Sequence, residues 1–284
     1  MPRTALVTDS TSNLYPELAA EKRIHVVPLY IIWDEKSYRD GVDLKEPELF
    51  RRLARTDHLP KTSQASPQDF VESFLQAREA EQADEVVCAV ISSDLSGTYA
   101  SAMQARETVD FPVHVVDTRQ VSWSLGYTVL SAAAARDAGA GPGEIVEAIQ
   151  RTAAHSCVLF TIESLDYLYY GGRIGNASRL LGSALNIKPV LEIKDGVVFP
   201  VDKVRTRGRA VETLLKAAAK HAAGHPICRL AVIHGDVEEE AKALLDEASA
   251  RFQPRETYLS YATAALGVHV GPGTLGIVIE WSPQ

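Results

Sequence analysis

The stretch Ser92-Ser93-Asp94-Leu95-Ser96-Gly97-Thr98-Tyr99 puts hydroxyls where a strand hands over to a helix. Glu85–Ile91 reads as a buried strand and Thr98–Glu107 as the helix after it. A strand-to-helix turn carrying Gly97 brings backbone N–H groups and the Ser96 hydroxyl to one point, and the helix dipole there favours an anion. The competing reading makes Ser96 a plain helix N-cap. His269 stands in Gly267-Val268-His269-Val270-Gly271-Pro272-Gly273, which reads as a loop whose glycines let the backbone approach a ligand while the imidazole donates a hydrogen bond. The bland reading is a histidine in a structural turn. Gly171-Gly172-Arg173-Ile174 frames a cation that suits a ligand anion or a partner protein. Around it Leu165, Tyr167, Leu168, Tyr169, Tyr170, Leu180, Leu181, Leu185 and Ile187 are apolar in excess, as core or as the lining of a tunnel.

Polar residues recur just past strand ends: Asp9-Ser10-Thr11-Ser12, Ser92-Ser93, Asp117-Thr118, Thr161 to Ser164, and His234-Gly235-Asp236. In open α/β sheets that edge is where ligands sit. Aspartyl-phosphate chemistry at Asp9 needs a second carboxylate two residues on, where Thr11 stands, so it is rejected. The sequence carries no G-x-x-x-x-G-K-[ST], no G-x-G-x-x-G after the first strand, no G-x-S-x-G and no H-E-x-x-H. Its histidines lack metal-ligand spacing, so no metal is expected.

The elements that must position these residues come from an ordinary globular composition. The chain has 284 residues, 46% of them hydrophobic, enough for roughly two domains. A net charge of −8 argues against nucleic acid as a partner. Cys88, Cys157 and Cys228 each lie in an apolar strand-like run, read as buried free thiols. No apolar leader and no 18-residue apolar run occurs, so a cytoplasmic location is expected.

Strand runs at Thr4–Thr8, Glu85–Ile91 and Val113–Asp117 alternate with helical stretches at Pro16–Lys22, from Ser66-Pro67, from Thr98, and an alanine-rich one to Ala138. Ile24–Ile32 is one long apolar run, and Glu46–Ala54 is helical. This βαβα order favours a parallel sheet covered on both faces. After a stop at Gly139–Gly143 come a helix over Glu144–Ala154 and a strand over Cys157–Ile162. The pattern then changes: Lys194-Asp195-Gly196 between strand runs signals a hairpin, followed by βα units and a last strand at Gly276–Glu280. The reading is a doubly wound α/β domain over 1–158 and a mixed-sheet α+β domain over 159–284.

Asp9-Ser10-Thr11, Thr62-Ser63-Gln64-Ala65-Ser66-Pro67, Leu95-Ser96-Gly97-Thr98-Tyr99, Gly171-Gly172-Arg173-Ile174, Asn186-Ile187-Lys188-Pro189-Val190 and His269-Val270-Gly271-Pro272-Gly273 together resemble the DegV family in order and spacing. The resemblance implies two domains, a three-layer α/β/α domain with a parallel sheet and a mixed-sheet α+β domain, with a long-chain fatty acid bound between them. It implies a fatty-acid-binding subunit of a bacterial fatty acid kinase, which presents the acyl carboxylate to a separate kinase subunit for acyl phosphate formation and phospholipid synthesis. By position, Thr62, Ser96 and His269 look like the carboxylate-binding residues, with the Gly97 backbone nearby, and Arg173 and Arg205 look like the face that docks the kinase. No catalytic residue and no cofactor besides the bound fatty acid is implied, and transient membrane contact fits the cargo. Two departures stand out: Ala65 replaces a usual proline, and Tyr170 replaces a frequent basic residue. The competing class is a serine-dependent acyl hydrolase using Ser96 and His269, with Asp9 or Asp117 orienting the histidine. A third is a purely structural or regulatory interaction protein.

Overall fold

The computed structural model describes residues 3–56, 58–182 and 187–282; Leu185 and Asn186, singled out above, lie outside them. Along the chain the elements are β1 (Thr4–Asp9), α1 (Pro16–Glu21), β2 (Ile24–Val27), β3 (Tyr30–Trp33), β4 (Lys36–Arg39), α2 (Glu46–Leu53), β5 (Lys61–Ser63), α3 (Pro67–Ala80), β6 (Glu85–Val90), α4 (Thr98–Arg106), β7 (Val113–Asp117), α5 (Trp123–Asp137) and α6 (Pro142–Ala154). After these come β8 (Ser156–Thr161), α7 (Asp166–Tyr170), β9 (Lys188–Lys194), β10 (Val197–Val204), α8 (Arg207–Ala222), β11 (Ile227–His234), α9 (Glu238–Phe252), β12 (Glu256–Tyr261), α10 (Ala264–Val270) and β13 (Leu275–Trp281).

Met1–Tyr30 and Ser63–Ala154 make one compact unit. Its sheet is parallel in the order β2-β1-β6-β7, with Leu6 opposite Ile24 on one side and Val87 on the other. Alternate residues of β1 and β6 (Ala5, Val7, Val86, Cys88, Val90) bury against Phe70, Phe74 and Ala77 of α3 and Ala102 and Ala105 of α4. Each fully buried phenylalanine contributes about 1.5–3 kcal/mol. Helices α5 and α6 pack together and on β1, β6 and β7, completing the three layers. Sequence chemistry fixes several ends. Ser66 and Asp69 form a reciprocal capping box with Pro67 in the first turn of α3. The long apolar run at 24–32 becomes two strands, because Val27 ends β2 and Pro28 offers no N–H to continue the ladder.

Ile31–Thr62 and His155–Gln284 make the second unit. Its six strands run β10-β9-β8-β13-β11-β12, antiparallel except for the β11–β12 pair. The β9–β10 hairpin turns at Asp195 (φ 51°) and Gly196 (φ 79°), the left-handed pair that Asp-Gly supplies. Helices α8 and α9 bury Leu214, Leu215, Ala241 and Leu244 on this sheet with Leu230, Val232 and Ile277. A smaller sheet, β4-β3-β5, adjoins α2.

The chain division differs from the expected split at 158/159. Residues 31–62 pack with the later half because Ile31, Trp33, Leu49 and Phe50 share a core with Ala262, Ala264 and Val268. Gly267 permits this: a Cβ there would lie 2.5 Å from Leu49 and 2.9 Å from Phe50. A linear reading of periodicity has no signal for an excursion of one segment into another unit. Cys88 and Cys157 are buried as expected, whereas Cys228 is half-buried, with its sulfur 2.8 Å from Ser282 Oγ. Strand β12 was not anticipated, since it lies on the sheet edge and its residues are exposed or half-buried.

Candidate functional site

In the second unit Thr62 and His269, 207 residues apart in sequence, meet directly: Thr62 Oγ1 lies 2.7 Å from His269 Nε2. Thr62 is placed by β5 and His269 by α10. The expected glycine loop around His269 is in fact a helix, started by Thr263, whose hydroxyl accepts from Leu266 N–H, and ended by Gly271. Glycine and proline marked the helix stop rather than a continuous loop.

Helices α7 and α10 are joined by a reciprocal exchange of rings and glycines. Each is capped at its C-terminus by a glycine, Gly171 and Gly271 respectively. The His269 ring lies on Gly171, where a Cβ would stand 2.3 Å from Nδ1. The Tyr167 ring lies on Gly271, where a Cβ would stand 2.4 Å from Cδ2, and the φ of 74° at Gly271 itself favours glycine. Close packing therefore sets the imidazole in place.

Burial pushes the His269 pKa down to about 4, and the nearby Arg173 guanidinium pushes the same way. The imidazole is neutral at pH 7, and its Nδ1 is buried without a hydrogen-bond partner. Thr62 and His269 line a cavity of about 670 Å³ with Leu59, Pro60, Tyr167, Tyr170, Gly171 and Val268, and with His58, Lys61 and Arg173. The volume falls within the usual range for small-ligand sites. Lys61 and Arg173 supply positive charge, while the Thr62–His269 pair supplies neutral polar groups. Such a lining suits an amphipathic anion.

Ser96 and Gly97 belong to the first unit, on the turn between β6 and α4. The sheet order reverses between β1 and β6, so this turn and the one at Asp9–Asn13 flank the topological switch point, the usual ligand position in such sheets. Ser96 is not the N-cap of α4; Gly97 is, without a side-chain cap. Ser96 Oγ instead lies 2.8 Å from Thr98 Oγ1 and accepts from Thr98 N–H. Across the switch point Asp9 ties β1 to β6. Its carboxylate accepts from Thr11 N–H, Thr11 Oγ1 and Ile91 N–H at 2.5–2.9 Å. Burial raises the Asp9 pKa while these bonds oppose the rise.

Asp9 is thus committed to structure, and Asp117 accepts from Ser93 Oγ at 2.5 Å and from Arg119 N–H. Among the described residues no acid orients His269 as a hydrolase requires: its Nδ1 has no hydrogen-bond partner and its Nε2 faces Thr62. Arg173 lines the cavity, and its Nη1 donates to the Gly171 carbonyl at 2.7 Å. Arg205 is exposed in the turn before α8 and does not line that cavity. Two members of its basic cluster are paired internally, Arg207 with Glu240 and Arg209 with Glu212. Among the described residues no group of three or more His, Cys, Asp or Glu could hold a metal ion, and no helix is long and apolar enough to cross a membrane. Sequence reasoning missed Tyr167 and Gly271 as a packing pair; the one available signal was a glycine after each of two short helices.

A family model described as "Uncharacterised protein, DegV family" matches residues 3–281. The chain belongs to the DegV family. A DegV domain-containing protein of Deinococcus radiodurans is 37% identical over 278 residues, covering 97% of this chain and 98% of the relative. A solved structure described as fatty acid binding of a DegV family protein from Thermus thermophilus superposes with a TM-score of 0.93 at 35% identity, covering 99% of this chain and 100% of the other. DegV of Bacillus subtilis, described as a fatty acid binding protein, gives a TM-score of 0.89 at 31% identity, with 99% and 100% covered. The DegV fold, with a parallel four-stranded sheet and a separate mixed sheet, is therefore the architecture of this chain.

Proposed function

We propose that this DegV protein binds a long-chain fatty acid and holds its carboxylate at Thr62 and His269. The observation that carries the reading is the Thr62–His269 pair in the wall of a cavity that also presents Lys61 and Arg173. The solved relatives described as fatty acid binding support it. Burying about 14 methylenes at about 0.8 kcal/mol each gives roughly 11 kcal/mol before association costs. Apolar burial on that scale exceeds the lower estimates of the association cost and favours retention of the cargo. Ser96 and Gly97 are proposed as carboxylate donors in their own right, since a helix N-terminus without an acid in its first turn favours an anion.

The protein carries no phosphate-binding loop motif, so chemistry on the carboxylate falls to another protein. We assign that role to a separate kinase subunit forming acyl phosphate, docked through Arg173 and Arg205. Charge reversal at both arginines is expected to abolish ATP-dependent acyl phosphate formation with the cognate subunit. Because Arg173 also lines the cavity, lipid retention is read on Arg205→Glu alone, which is expected to keep its fatty acid. Full turnover by the double variant would reject the docking face. The binding reading itself is tested by mass spectrometry of lipid extracted from the purified protein, before and after incubation with palmitate or oleate. A stoichiometric fatty acid is expected; none in either sample would overturn the reading.

A further inference from the structure

We infer that Gly171 is a positioning residue: by lacking a side chain it holds His269 Nδ1 against the backbone as a bare nitrogen, so that the ring proton sits on Nε2 and Thr62 turns its hydroxyl hydrogen toward the cavity. The ligand named here rests on the fatty-acid reading, whereas the geometry does not.

The backbone at Gly171 gives no reason for glycine. Its φ of −73° and ψ of −11° are ordinary right-handed values that any residue adopts. The reason is space. A Cβ at Gly171 would stand 2.3 Å from His269 Nδ1, 2.9 Å from Cε1 and 2.8 Å from the Tyr167 carbonyl oxygen, so the imidazole occupies the volume of the first side-chain atom. Gly172 is the opposite case, with a φ of 70° and nothing within 4 Å of its would-be Cβ. Two adjacent glycines thus serve different needs, one conformational and one steric.

Pressed against Gly171, Nδ1 is buried and has no hydrogen-bond partner. A proton there would make it a buried donor without an acceptor, which costs more than leaving a lone pair unused. The guanidinium of Arg173 is anchored to the Gly171 carbonyl at 2.7 Å, and its positive charge opposes a proton on the ring. The proton therefore belongs on Nε2, which donates to Thr62 Oγ1 across 2.7 Å. Thr62 has a single hydrogen to give, and with its oxygen accepting from the ring that hydrogen is free for a ligand. A donor presented in this way selects an ionised carboxylate, which only accepts, over an alkylammonium, which only donates.

The test is the nitrogen chemical shifts of His269 in the full ligand-free chain, labelled at histidine and assigned by the loss of signal in His269→Gln. The expected spectrum at pH 7.5 shows Nδ1 unprotonated and Nε2 protonated; a protonated Nδ1 overturns the inference. Gly171→Ala is expected to lower palmitate affinity by about tenfold or more, while Gly172→Ala stays within about twofold. Equal losses from the two, or none from Gly171→Ala, also overturn it. Should Gly171→Ala fail to fold, the wild-type tautomer decides. If the tautomer is as inferred and palmitate does not bind, the fatty-acid reading fails and the positioning role of Gly171 stands.

Discussion

The two units carry the proposed carboxylate-binding groups in opposite constructions. In the first, Ser96 and Gly97 are neighbours on one strand-to-helix turn, and the field comes from the helix N-terminus. In the second, Thr62, Gly171, Arg173 and His269 come from widely separated segments, and the groups meet through packing of α7 against α10. A contiguous turn tolerates change in its surroundings because its geometry is local. An assembled site depends on each ring and glycine that holds it. The second region should therefore be the more fragile, in stability and in pH response.

The largest expected effect lies in the ring–glycine exchange. Gly271→Ala combines a left-handed backbone with a clash on Tyr167 and should destabilise the protein by about 2–4 kcal/mol. In the first unit, Gly139→Ala has a comparable φ of 85° but open space around it and should cost about 1–2 kcal/mol. Urea denaturation of the two variants compares them; equal losses would show that packing at Tyr167 contributes nothing beyond backbone strain.

The pH response comes next. The His269 pKa falls from 6.5 in the unfolded chain to about 4 in the folded one. The stability this brings is complete above pH 6.5 and is lost as the pH falls toward 4, a change of about 3 kcal/mol. His269→Gln should flatten the stability profile in that window. Asp9, in the first unit, acts with the opposite sign: its raised pKa contributes stability at low pH that is lost as the pH rises through its folded value. A wild-type profile flat between pH 4 and 6.5 would place His269 in a far wetter setting.

Much of the fold was legible because periodicity and turn chemistry are local. The capping box at Ser66–Asp69 and the Asp195-Gly196 turn follow directly from residue types. So does the parallel sheet, from its βαβα order. Membership of residues 31–62 in the later unit was not legible, since it depends on Leu49 and Phe50 finding Gly267 more than 200 residues away. At the site, Thr62, Arg173 and His269 were named from motifs, and the structure brings them to one cavity. The seven helical residues that carry His269 read as a loop in the sequence because Gly267, Gly271 and Gly273 dominate so short a stretch. The exchange of Tyr167 and His269 between Gly271 and Gly171 has no sequence signature, because it is a contact between two helix ends.

The central claim, a carboxylate held by the Thr62–His269 pair, is tested most directly by titrating delipidated protein with palmitate and with its methyl ester. Wild type should prefer palmitate, and Thr62→Val should lose about 1–3 kcal/mol of palmitate affinity while its ester affinity stays unchanged, the usual range for a hydrogen bond to a charged group. Ser96→Ala, run alongside, measures what the contiguous turn adds. Equal affinity of wild type for acid and ester, or a Thr62→Val variant that binds palmitate as wild type does, would contradict the account.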